Sequence, residues 1–339
     1  MGGTRKVLRY LPRTRAGDAI WSTLFFLTHR YRLPRLRRPR TFTEHLFARR
    51  YGDWLVDPRR CALCDKILAK DYINDRVGER YSVPTLALLR SHEEIDRFEF
   101  PERCVVKPSH MSGRVQLKRS PEAAIDRGRL HRALDADYSE EWREANYRGI
   151  AHGILVEPFV FGGDFVPSDI KVFCFHGEPK LIMVVLDRFG ASTQRLYTPR
   201  WEPLKATYSH SKIGVSEPAP ANLDELLDVC RALAKDFDFL RVDLYSNGTD
   251  VKVGEFTILP GAGMHYPSMR PRAADLAAAQ LFRDPEAEPS RVFAPFIDRF
   301  DPDRALLTVA PDSCVPEPIV AAPIPAAALA PTGIAQGSE

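Results

Sequence analysis

At 339 residues the chain is long enough to bury a large core without help from a partner subunit. Its 48 Lys and Arg against 45 Asp and Glu leave a net charge of +3, which argues against a protein built to coat nucleic acid. A composition of 44% hydrophobic and 27% charged residues excludes wholesale disorder and a polytopic membrane protein.

The charge is unevenly spread. Residues 1–40 hold eleven Lys or Arg and one acid, Asp18, whereas 301–339 hold five acids and one base. The apolar run 19–27 is far shorter than the ~20 residues a membrane span needs, and no leader cleavage site follows it. Its Trp21, Phe25 and Phe26, beside the arginine-rich stretch 30–40, suit either a helix docked on the body or one resting on an anionic bilayer. Helical spacing recurs at 43–54 and 59–76, the second opened by Asp57-Pro58 and closed at Val77-Gly78. Cys61 and Cys64 form a C-x-x-C there; with no second cysteine pair or spaced histidine, helix packing is the ordinary reading and redox or metal chemistry the alternative. Six scattered cysteines point to a reducing, cytoplasmic setting.

Residues 86–89 read as a strand, Ser91-x-x-Glu94 as a helix start, and Cys104-Val105-Val106 as a strand ending on Lys107-Pro108. A polar loop at 109–114, helices at 121–134 and 139–147, and a short strand at 154–157 follow. Residues 170–176 and 180–186 form a hairpin, helix 222–235 leads into a strand at 240–245, and Asn247-Gly248 turns the chain into 251–258. A last helix is predicted near 272–284, and the proline-rich residues 302–339 read as a flexible tail. Strand pairs interrupted by helices make the fold class α+β, in lobes.

Alternation places Arg241, Asp243 and Tyr245 on one face of their strand, with Val251, Val253, Glu255 and Thr257 alternating on its neighbour. Two adjacent carboxylates repel unless a cation lies between them, and hard oxygen ligands suit Mg2+ beside phosphate. Arg241 can then hold a phosphoryl group or a developing oxyanion; ordinary salt bridges on an exposed hairpin give the same pattern. Lys107 ends an apolar strand and needs an anionic partner if buried, and the loop after it, with His110, Ser112 and Gly113, offers N–H groups to phosphate without a Walker motif. Lys171 alternates with apolar residues and can face the same cavity. Alone, Lys66 reads as a helix-surface lysine and Glu157 as a turn acid. No H-E-x-x-H or G-x-S-x-G occurs, so zinc-protease and serine-hydrolase readings lose ground.

In chain order, Pro39-Arg-Thr-Phe-Thr-Glu44, Cys64-Asp-Lys66, Cys104-Val-Val-Lys-Pro108, Val156-Glu-Pro-Phe159, Asp169-Ile-Lys-Val-Phe-Cys-Phe-His-Gly177, Arg241-Val-Asp243 and Glu255-Phe-Thr-Ile-Leu-Pro-Gly261 together resemble the TupA-like branch of the ATP-grasp superfamily. A remoter likeness is to D-alanine:D-alanine ligases. The resemblance implies an ATP-grasp fold, two α+β lobes clasping a nucleotide. Its parts would be a basic helical extension at 1–60, a pre-grasp segment at 61–100, a first lobe with a mobile loop at 101–160 and a second lobe with metal-binding strands at 161–290.

For the site, the resemblance implies that Lys66 and Lys107 reach the ATP phosphates, with His110, Ser112 and Gly113 in the loop closing over them. Glu157, Phe159 and Val160 would form the hinge at the adenine, Asp164 would meet the ribose, and Lys171 would join the cofactor site. Asp243 and Glu255 would hold Mg2+, with Thr257, in place of the ligase-type Asn, a weaker or water-mediated ligand. Arg241 would act with Lys66 and Lys107 in catalysis, and Arg188, His265 and Arg270 are candidates for the substrate. The implied reaction activates a small-molecule or glycan-linked carboxylate as an acylphosphate for attack by an amine, in cell-envelope polysaccharide or small-metabolite assembly. A kinase acting on a sugar or other hydroxyl, and a non-catalytic nucleotide-binding partner, are the alternatives. The expected setting is cytoplasmic, at the inner membrane face if the basic arm binds lipid; a homodimer is open and nucleic acid is not expected.

Overall fold

Two main sheets, one wholly and one mostly antiparallel, divide the protein, and short capped helices decide where the chain enters each. The computed structural model describes residues 11–30, 33–162, 167–186, 192–208, 211–263 and 269–298. The predicted tail at 302–339 lies outside them. Helix α1 (Arg15–Arg30) turns Trp21, Phe25 and Phe26 inward onto Phe47 of α2 (Phe42–Ala48) and onto Ala262. Trp21 stacks on Phe25 at 5.1 Å and Phe26 meets Phe47 at 4.5 Å. Of the two readings of these rings, docking on the body is the one observed, because positions 21 and 25 share a helix face. No described helix is long and apolar enough to cross a membrane.

Thr41 caps α2 by accepting from the Glu44 N–H, while the Glu44 carboxylate accepts from the Arg40 N–H at 2.8 Å. The helix stops at Ala48 instead of continuing to 54. Its Phe42 ring is wholly buried, edge-on to Phe173, Phe175, Phe239 and Tyr208 at 6.1–6.3 Å. The segment read as an extension therefore supplies a central core residue. Arg50 ties the same region down, donating to the carbonyls of Ala262 and Trp142.

The helix predicted over 59–76 is two, α3 (Pro58–Cys64) and α4 (Lys66–Val77). Asp65 between them is extended and its side chain accepts from the Ile67 N–H at 2.8 Å, an acid competing for the backbone as a cap. The break makes Lys66 the first residue of α4. Cys64 is buried and accepts from the Asn146 amide at 3.0 Å, and burial pushes its thiol well above the usual range. Cys61 and Cys64 are thus packing residues, and the described cysteines are free.

The smaller sheet contains β1 (Ala87–Leu89), β2 (Cys104–Pro108), β3 (Gln116–Lys118) and β4 (Ile154–Glu157), in the order β1-β4-β2-β3. Because β1 pairs with β4, the expected boundary at residue 100 cuts through this sheet. Helices α5 (His92–Arg97) and α6 (Arg127–Leu134) cover one face with Ile95 and Leu130 against Cys104, Val106, Ile154 and Val156. Val105 and Lys107, alternate on β2, line the opposite, open face. Asp126 caps α6 so that it starts at Arg127 rather than 121.

The larger sheet runs β10-β7-β6-β5-β11-β12, with β8 beside β7. Its members are β5 (Asp169–Phe175), β6 (Glu178–Leu186), β7 (Thr193–Tyr197), β8 (Pro203–Leu204), β10 (Lys212–Ile213), β11 (Phe239–Ser246) and β12 (Val251–Thr257). A separate pair, β9 (Thr207–Tyr208) and β13 (Met269–Arg270), lies beside it in sequence. Strand β5 is buried along nearly its whole length; its second half, 172–175, is an unbroken apolar run, while Asp169 and Lys171 in its first half form an ion pair. The predicted helix at 272–284 is broken at Ala279 into Arg272–Ala278 and Gln280–Arg283.

Phe42→Ala is expected to destabilise the protein by about 3–5 kcal/mol, the cost of emptying an aromatic core position. Urea denaturation measures it; a loss below ~1 kcal/mol would mean that the N-terminal region is an appendage after all.

Candidate functional site

The two sheets border a cleft lined by Lys66, Lys107, Glu157, Asp169, Asp243 and Glu255 among others. Its floor comes from β11 and β12. Arg241 lies across from Thr257 and Asp243 across from Glu255; then the register slips, and Leu244 faces Val253. The residue passed over is Gly254, where an added Cβ would come within 2.7 Å of the Tyr245 ring. A bulge of this kind reverses the alternation. Val253 therefore joins the core while Glu255 faces the cleft beside Asp243, although simple alternation puts both on one face.

Asp243 is buried and fully engaged. Arg241 Nε and Nη2 donate to its two oxygens at 2.6 and 2.7 Å, and Lys171 Nζ donates to Oδ2 at 2.5 Å. Lys171 also pairs with Asp169 at 2.7 Å. Burial alone would raise the Asp243 pKa, but Arg241 and Lys171 outweigh it and hold the carboxyl below its usual range. Burial likewise opposes the Arg241 charge, and Asp243 reverses the balance. Thr257 Oγ1 accepts from Arg241 Nη2 at 2.7 Å. Placed across from Arg241, Thr257 steadies the guanidinium.

On the other wall, Glu157 closes β4 in a buried position between two ammonium groups, Lys70 and Lys107, each at 2.7 Å. Burial works against its ionisation, and Lys107 and Lys70 more than compensate, so its pKa is lowered. Lys66 Nζ donates to the Met111 carbonyl at 2.6 Å and stands 3.7 Å from Glu255, bridging the walls; burial lowers the pKa of both Lys66 and Lys70. Lys70 escaped the sequence reading. Its signal was its position four residues after Lys66 on one helix face.

His110 is a correction. It is buried, its Nδ1 accepts from the Gly153 N–H, its Nε2 faces the Ala136 carbonyl at 3.2 Å, and it stacks on His152 at 4.0 Å. Burial, with His152 adding to it, lowers its pKa to about 4. It anchors the loop rather than closing over a ligand, whereas Gly113, at φ +80°, lines the cleft and Ser112 is exposed. Phe159 and Val160 also line the cleft. Arg270 is exposed on β13, outside the lining. Asp164, Arg188 and His265 lie outside the described residues. Beyond Arg241, the Phe173 ring lies under both the guanidinium, at 5.9 Å, and the Tyr208 ring, at 5.7 Å. The buried Tyr208 hydroxyl has no hydrogen-bond partner among the described residues, and nothing in the sequence singled it out. Among the described residues no three His, Cys, Asp or Glu side chains are grouped to hold a metal unaided.

The sequence model of the family described as TupA-like ATPgrasp matches residues 50–281. The chain belongs to the TupA-like ATP-grasp family. Its fold is accordingly the α+β ATP-grasp fold, with the small sheet in one lobe and the large sheet in the other. Among solved structures it is similar to the ATP-grasp ligase PsnB complexed with minimal precursor, at 17% identity and a TM-score of 0.34, covering 62% of this chain and 55% of that one. It is also similar to a D-alanine–D-alanine ligase from Bacillus anthracis (19%, TM-score 0.37, 68% and 65%) and one from Helicobacter pylori (16%, TM-score 0.34, 65% and 58%). The chain thus spans between half and two thirds of the length of these structures. No curated protein matches it.

Glu157→Gln leaves Lys70 and Lys107 without their anion and is expected to cost about 3 kcal/mol in urea denaturation. Because the folded-state pKa values of Glu157 and Asp243 lie below their unfolded values, the stability they contribute is complete above about pH 4.3 and is lost as pH falls through the folded values. The acid-side loss of stability should be shallower in the variant; an unchanged slope would mean that Glu157 is not held ionised by its lysines.

Proposed function

We propose that this protein is an ATP-dependent ligase that activates a carboxylate as an acylphosphate and joins it to an amine. The observation that carries this reading is the convergence of Lys66 and Lys107 with the Asp243–Glu255 pair and Arg241 on one cleft. Membership of the ATP-grasp superfamily supports an ATP-dependent reaction.

Charge supports a divalent cation as well. Among the described residues the site sets five cations, Lys66, Lys70, Lys107, Lys171 and Arg241, against four carboxylates, Glu157, Asp169, Asp243 and Glu255. A triphosphate brings more negative charge than one excess cation offsets. Asp243 and Glu255 fit Mg2+, which takes one or two carboxylates and completes its shell with phosphate oxygens and water. A PsnB structure with Mg and ADP is consistent with this choice. Bound there, Mg2+ would supply Lewis-acid charge to the phosphoryl oxygens.

The chain's own residues do the rest. Lys66 and Lys107 offset charge on the phosphates, Lys107 exchanging part of its contact with Glu157 for a phosphate oxygen. Lys171 keeps Asp243 ionised. Phe159 and Val160 pack the adenine at the end of β4. Arg241, held flat by Asp243 and Thr257, receives the group in transfer. A substrate carboxylate oxygen attacks the γ-phosphorus, the bond to the β–γ bridging oxygen breaks and ADP leaves. The amine then attacks the acyl carbon, loses a proton and expels phosphate. The substrates we envisage are a small-molecule or glycan-linked carboxylate and an amine, in cytoplasmic assembly of envelope polysaccharide or a small metabolite.

Incubation with Mg2+-ATP, hydroxylamine and a panel of amino acids and sugar acids is expected to yield a hydroxamate and ADP. A phosphorylated hydroxyl product without hydroxamate would replace the ligase reading with a kinase. Glu255→Ala is expected to lower turnover roughly a hundredfold and to raise the Mg2+ requirement. Unchanged Mg2+-dependent turnover in that variant would remove Glu255 from the metal site.

A further inference from the structure

The aromatic face of α1 is consumed by packing, and the opposite face is not. Ile20, Leu24 and Leu27, four and three residues apart, are 50%, 39% and 36% exposed. Asp18, the helix's single acid, is turned inward onto Arg143, at 3.3 Å, and onto Arg148, so it does not interrupt that stripe. Beyond the helix, Leu33 and Leu36 are 64% and 44% exposed. Of the ten large hydrophobic residues left exposed among the described residues, five fall between 20 and 36. Scattered exposure is ordinary, but concentration in one short stretch marks a contact surface.

Charge selects the occupant. Leu33 and Leu36 are interleaved with exposed Arg35, Arg37, Arg38 and Arg40, and residues 33–40 contain no acid. A protein partner's core would favour aromatic rings, which α1 has instead withdrawn into the body, and a nucleic-acid backbone has no use for the aliphatic stripe. An aliphatic stripe followed by a run of arginine matches acyl chains beneath anionic headgroups. Neither signal binds firmly alone, and the two together do.

We propose that residues 20–28 and 33–40 form a surface that rests on an anionic phospholipid bilayer, α1 lying in the plane of the interface with its aliphatic face down and the arginines on the headgroups. The rings Trp21, Phe25 and Phe26 take no part; they fix the helix to the protein so that the opposite face is presented. The surface would bring the cleft to a membrane-borne substrate.

The full chain is expected to co-sediment with vesicles of mixed phosphatidylcholine and phosphatidylglycerol, not with phosphatidylcholine alone, and to be released by added salt. Replacing Arg35, Arg37 and Arg38 together by Gln should weaken partitioning about a hundredfold, roughly fivefold for each arginine. Leu24→Glu with Leu27→Glu should weaken it by at least about tenfold. Unchanged thermal midpoints would confirm that both variants are folded. Equal binding to both vesicle types, or anionic binding indifferent to both variants, would overturn the proposal. So would absence of binding accompanied by a dimer, seen by light scattering, that the leucine variant dissociates.

Discussion

A buried carboxylate has to be neutralised, and the structure is arranged around meeting that requirement twice. Asp243 is satisfied by Arg241 and Lys171, Glu157 by Lys70 and Lys107. In each case the cations come from a neighbouring strand, from the same strand two residues away, or from α4, so the ion pairs can form only once both sheets and that helix are in place. Ionised carboxylates in a low-dielectric cleft are costly without such partners and strongly held with them. The same groups that stabilise the cleft are the groups a phosphate and a cation would contest.

That arrangement gives the helical N-terminal segment its purpose. The cap at Asp65 starts α4 at Lys66 and sends Lys66 and Lys70 along one helix face to opposite partners, Glu255 and Glu157. Phe42 from α2 fills the centre of the large sheet, while Arg50 ties the region to Ala262, next to the turn that ends β12. The N-terminal segment is built into the lobe that carries the acidic floor of the site, and α1 is held rigidly enough to present its outer face.

Much of this was legible in the chain. The apolar runs of β2, β5, β6 and β11 and the Asn247-Gly248 turn follow from period-two patterning and turn chemistry, which act locally. Lys66, Lys107, Glu157, Asp243 and Glu255 were all nominated, and all line the cleft. Lys70 and Asp169 were overlooked because a lysine on a helix and an acid at a strand start have ordinary surface readings until their partners are placed. His110 was misread because a histidine beside glycine and serine looks exposed; Ala136, His152 and Gly153, far along the chain, enclose it.

By itself, the sequence determined the fold class, the position of most strands, the family and the acidic and basic residues that could gather, because patterning, caps and motif order are local properties of the chain. Tertiary structure decided which of those residues meet. The Gly254 bulge turned Glu255 toward Asp243 and Val253 away; the strand register put Thr257 onto Arg241; packing sent the aromatics of α1 inward and left leucines outside. Each of these outcomes depends on one extra residue in a ladder or on a partner distant in sequence, and neither can be read from spacing alone.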